Sequence, residues 1–112
     1  MNIVFLLLHL HFAIGVLEES DLDMVASKLD AVSSKWYTLG KELLPTNDHR
    51  DLDSIHTQHQ QNPNIGLRKM LHKRMVYPTT WTDIIAGVRI LGDSQLADNL
   101  ETKYCSSELT TT

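Results

Sequence analysis

Trp81, Ile84, Ile85, Val88 and Leu91 fall at i, i+3, i+4, i+7 and i+10. An α-helix gathers that spacing into one apolar stripe, whereas a β-strand would scatter it over both faces. The stretch therefore has to be a helix, and the stripe has to be buried against other parts of the chain. Its limits are also written in the sequence. Thr80 stands at the N-cap with Asp83 at the capping-box position, and Gly92 follows as a C-terminal stop.

The same period recurs along the rest of the chain. In GLRKMLHKRMV, residues 66 to 76, Leu67, Met70, Leu71 and Met75 share a face, with Arg68, Lys69, Lys73 and Arg74 displayed around the remainder. Tyr77-Pro78 ends that helix. Upstream, Ser20 with an acid three residues later reads as an N-cap, and Leu22, Val25, Leu29 and Val32 continue at spacings of three and four. Trp36, Leu39, Leu43 and Leu44 carry a second, short helix, weakened at Gly40, ended at Pro45 and joined to the first by a kink. Leu52 and Ile55, among Asp48, Asp51 and Asp53, predict one or two turns of a third helix, and QHQQNPN, residues 58 to 64, a polar loop. Leu96, Ala97, Leu100 and Tyr104 give a sixth helix, followed by the polar tail SSELTTT. No segment alternates as a strand would. The expectation is an all-α helical bundle, with Trp36 and Trp81 pointing inward on their stripes. Burying an indole removes ~150–250 Å² from water, or roughly 4–6 kcal/mol before entropy is charged.

A chain of 112 residues has room for one such core. Its single cysteine, Cys105, permits no internal disulfide, which suits a reducing, cytoplasmic setting. IVFLLLHLHFAIGVL, residues 3 to 17, pulls the other way. It is short for a membrane span, which needs about 20 residues. It has the length of a signal peptide and a small-x-small step at Ala13-Ile14-Gly15, but lacks a basic n-region. A signal, a membrane-proximal anchor on a secreted or membrane-attached protein, and an added apolar helix are all open readings. The expected organisation is a leader-like or membrane-proximal segment over residues 1–17, a helical domain over 18–105 and a polar tail over 106–112.

Residues that could carry chemistry are sparse. His56 and His59 stand at i, i+3, within reach of one metal ion on a helix, yet no carboxylate or thiolate is spaced to complete the site. Cys105 has no neighbouring base to activate it. Neither a phosphate-binding glycine loop nor an ordered nucleophile, base and acid is present. No enzyme, metal site or cofactor is expected.

The order of the motifs resembles the death domain, over about residues 21 to 105. The elements that carry the likeness are the Trp-x-x-Leu-Gly step at Trp36 to Gly40 and the Leu-x-x-Met-Leu step at Leu67 to Leu71. The Thr-Trp pair opening the fifth helix and Leu96-Ala97 opening the sixth complete it. Met75 stands where many relatives carry an aromatic residue, and Gly87-Val88 where many carry Ala-Leu. The resemblance implies an all-α, six-helix antiparallel bundle of Greek-key topology and a non-enzymatic role: association with other death-fold domains, homotypic or heterotypic, in apoptotic or innate-immune signalling.

Charge is unevenly spread along the chain. Residues 17 to 60 carry nine acids against four Lys or Arg, net -5; residues 61 to 91 carry five bases against one acid, net +4; residues 92 to 112 are net -3. Opposite patches on one small domain are what asymmetric, head-to-tail association requires. The death-fold likeness implies a contact between the fourth helix of one copy and the second and third of the next. Arg68, Lys69, Lys73 and Arg74 would then meet Asp48, Asp51 and Asp53. The alternative is a helical nucleic-acid-binding unit with the basic fourth helix on phosphate, which the overall charge of -4 disfavours.

Overall fold

A computed structural model describes residues 15–105. The apolar run as far as residue 14 and the polar tail 106–112 lie outside the described residues. Six α-helices follow in order: α1 (Leu22–Lys28), α2 (Trp36–Leu43), α3 (His49–Gln58), α4 (Pro63–Arg74), α5 (Trp81–Ile90) and α6 (Ser94–Tyr104). Short 3-10 turns at Glu19–Asp21, Asp30–Lys35 and Thr46–Asp48 join or precede them. Among the described residues the only β pairing is an isolated bridge between Val16 and Thr80, and no helix is long and apolar enough to cross a membrane.

Each apolar stripe is buried. Val25, Leu39, Leu52, Leu67, Met70, Leu71, Ile84, Val88 and Ala97 are fully enclosed, so every helix contributes to one core. Helix α4 packs against α1, α2 and α3, while α2 also lies on α5 and α5 on α6. Both tryptophans are buried, as their stripes predict. Trp81 stacks on Tyr104 with ring centroids 4.2 Å apart, which fastens α6 to the start of α5.

The kink between α1 and α2 has a local cause. Leu29 sits at φ -99°, ψ 9° and Val32 at φ -113°, ψ 16°, both away from helical values, so their side chains reach the core from a broken path. Helix α5 begins as its sequence dictates: Thr80 Oγ1 accepts from the Asp83 amide at 3.3 Å, and the Asp83 carboxylate accepts from the Thr80 amide at 2.9 Å. Gly92 ends the helical path at φ +92°, a conformation costly for other residues.

Several limits differ from the sequence reading. Asp21, not Ser20, closes the N-terminal turn, its carboxylate accepting from the Glu18 amide at 2.8 Å. Helix α3 runs through His56 to Gln58 and is longer than two turns, which confines the polar loop to residues 59–62. Helix α4 then opens three residues before Gly66, because Pro63 occupies the first helical position, where its missing N–H costs nothing. Asp93 caps α6 by accepting from the Leu96 amide at 3.0 Å.

Two contacts tie the N-terminal end of the described chain to the core. The Leu17 amide donates to the Thr79 carbonyl at 2.7 Å, and the Leu17 side chain is 9% exposed. The packed unit therefore includes Leu17, one residue before the boundary expected at 18. Helix α4 also touches Trp36 closely at Gly66, where a Cβ would lie 2.3 Å from indole Cε2.

Candidate functional site: the α3–α4 surface

The core decides which side chains of α3 and α4 reach solvent. Burial of Leu67, Met70 and Leu71 turns Arg68, Lys69 and His72 outward, and burial of Leu52 leaves Asp51 and Asp53 exposed on α3. The two helices pack on each other, so acids and bases far apart in sequence become neighbours.

They pair within the molecule. Lys73 Nζ lies 2.8 Å from Asp51 Oδ2, and the Tyr77 hydroxyl donates to Asp48 Oδ2 at 2.6 Å. The Tyr37 hydroxyl donates to Asp53, and Arg68 bonds Asp23 on α1. His72 Nε2 stands 2.8 Å from Glu19 Oε1. Hydrogen bonding to Asp51 holds Lys73 above the ordinary lysine range, against the opposing effect of partial burial. The hydrogen bond to Asp48 raises Tyr77 in the same way.

These positions bear on the expected head-to-tail arrangement in two respects. Arg74 is mostly covered: its side chain is only 14% exposed, with Nη2 3.7 Å from Asp83 and Nη1 donating to the Pro78 carbonyl at 3.3 Å. It fixes the turn between α4 and α5. The second concerns Lys73 and Asp51, expected to meet across two copies, which already pair inside one. The charge segregation along the sequence is thus largely mixed on the surface, because α3 and α4 are adjacent. Exposed pairs of this kind contribute only about 0–1 kcal/mol, so a partner with better geometry can displace them. Lys69 differs from its neighbours, being exposed and without a carboxylate partner among the described residues.

Beside this face runs an open groove lined by Leu22, Ile55, Gln58, Arg68, Lys69, His72, Lys73 and Val76. Val76, one residue past the end of the α4 stripe, is 75% exposed. The sequence reading did not single out Leu22 or Val76 for this surface, since they lie on separate elements that only the packing of α1 on α4 brings together. Val76 did carry one signal, an apolar residue directly after the basic helix.

The other candidate residues have structural settings. His56 stacks on the Tyr37 ring at 4.1 Å, with Trp36 5.8 Å away. No group of three His, Cys, Asp or Glu side chains placed to hold a metal ion occurs among the described residues. Cys105 is half-buried, its Sγ 3.9 Å from Thr82 Oγ1. No family model, curated protein or solved structure matches the chain.

Proposed function

We propose that this chain is a protein–protein interaction module of the death-fold type, its six helices in Greek-key order. It associates with itself or with another death-fold domain in cytoplasmic signal transduction, as an adaptor or a receptor tail, and performs no reaction of its own. The observation that carries the reading is the exposed charge on α3 and α4, held in pairs weak enough to exchange for a partner's charges. The order of joints supports the topology: a broken first pair at Leu29 to Val32, a short turn into α3, and a Thr80 cap opening α5.

Immobilising the full chain and identifying what it retains from a cell extract tests the proposal. Retention of a protein carrying a death-fold domain, reduced by Lys69→Glu, is the expected result. Retention of nucleic acid in place of such a protein would sink it.

A further inference from the structure

We infer that Glu19 and Asp23 form an autoinhibitory cover on α4, internal competitors that hold back the carboxylates of a partner until they are displaced. The inference rests on the reading of the α3–α4 surface as a contact face and adds what regulates it. Helix α4 turns Arg68, Lys69, His72 and Lys73 toward solvent, and the chain's own acids already engage three of them. Arg68 bonds Asp23 of α1, His72 Nε2 lies 2.8 Å from Glu19 Oε1 in the preceding turn, and Lys73 Nζ lies 2.8 Å from Asp51 Oδ2 of α3. Acids thus reach α4 from elements on both sides of it in the sequence. Asp51 belongs to the expected contact set itself, so the separate cover is the pair on the N-terminal side.

The fold holds that side in place. The Leu17 side chain is buried, its amide donates to the Thr79 carbonyl at 2.7 Å, and Val16 bridges Thr80. The Glu18 amide donates to Asp21 at 2.8 Å, which closes the turn that carries Glu19. Acids tethered beside their bases compete at a high effective concentration against any free carboxylate. Their side chains nevertheless stay at the surface: Glu19 is 76% and Asp23 87% exposed, against 57% for His72 and 45% for Arg68. Pairs so exposed add little to the fold, roughly fivefold in an equilibrium constant at most. Their effect falls instead on what else can reach the bases, and a partner bringing several contacts at once can displace them.

Glu19→Gln with Asp23→Asn in the full chain removes both charges and nearly preserves size. Labelled polyglutamate at low salt, followed by fluorescence anisotropy, is an acidic probe that needs no cognate partner. The control is Asp30→Asn with Glu42→Gln, an equal change in net charge at exposed acids that pair with no base among the described residues. The uncovered variant should bind the probe roughly three- to tenfold more tightly than the control. Adding Arg68→Gln and His72→Gln should remove most of that gain, with circular dichroism unchanged throughout. Equal affinity in the uncovered variant and the control, no binding by the uncovered variant, or a gain that survives loss of Arg68 and His72 would each overturn the inference. Sedimentation of the same proteins separates it from the association reading. Tighter probe binding with every protein monomeric supports the cover and removes homotypic assembly, whereas stronger association of the uncovered variant than of the control supports both.

Discussion

Replacing Gly66 by alanine opposes two effects whose sizes differ. Alanine is the better helix former by about 1 kcal/mol, so in an open helix the change would stabilise. At this position the new Cβ would stand 2.3 Å from Cε2, 2.5 Å from Cζ2 and 2.6 Å from Nε1 of Trp36. Carbon atoms in contact prefer about 3.5–4.0 Å, and the obstructing group is a flat, buried ring, not the end of a flexible chain. Overpacking of this kind costs ~1–3 kcal/mol, and the depth of the overlap places it near the upper end. The net is a loss of about 2 kcal/mol. For a domain of this size that lowers Tm by roughly 8–16 °C. Chemical denaturation of parent and variant reads it directly. A companion pair in a Trp36→Phe background isolates the cause, because the smaller ring should leave Gly66→Ala nearly neutral and give a coupling of about 2 kcal/mol. A Gly66→Ala variant as stable as the parent, or the same loss in both backgrounds, would refute the close approach of α4 to Trp36.

Trp81→Ala should cost about 3–5 kcal/mol through lost burial and a cavity beside Tyr104, and a denaturation midpoint equal to the parent's would place Trp81 outside the core. A chain beginning at residue 18 should stay helical but be less stable than one beginning at Gly15 by about 2–3 kcal/mol in chemical denaturation, because it loses Leu17 and the amide bond to Thr79; equal stability would remove Leu17 from the core. Lys73 and Tyr77 both have raised folded-state pKa values, so their contribution is complete below about pH 10 and is lost as pH rises through those values. Thermal melts should therefore show a steeper alkaline fall in the parent than in an Asp51→Asn, Tyr77→Phe double variant, and parallel falls would show that the pairs do not form in solution.

Much of the helix order could be read from the chain because apolar stripes repeat at a helical period. Trp81, Ile84, Ile85 and Val88 need no tertiary information to declare their face, and Thr80 and Gly92 mark the ends with local chemistry. Short-range signals failed where packing decides. Gly40 reads as a weak point in α2, yet a Cβ there would lie 2.8 Å from Leu52 and from Met70, so the residue admits close helix contact. Pro63 reads as part of a loop because proline breaks most helices, although at a first turn it starts one. The charged face was legible residue by residue but not as pairs. Lys73 and Asp51 are 22 positions apart, and only the packing of α3 on α4 makes them partners. Arg74 follows the same rule in reverse, since its place among cations gives no hint that the turn to α5 encloses it.

Lys69 offers the most direct measurement of the proposed association. Lys73→Glu would place like charges beside Asp51 and Asp48 within the fold, mixing a stability loss with any effect on a partner. Lys69 has no carboxylate partner among the described residues, so its reversal should change stability by no more than about 0.5 kcal/mol. Sedimentation of the full chain over a range of concentration and salt, with and without Lys69→Glu, reads association alone. A homotypic death-fold module should associate with rising concentration, dissociate with added salt, and lose most of its association in the variant while its melt is unchanged. A parent that remains monomeric throughout, or associates equally after Lys69→Glu, would contradict homotypic assembly through the α3–α4 surface.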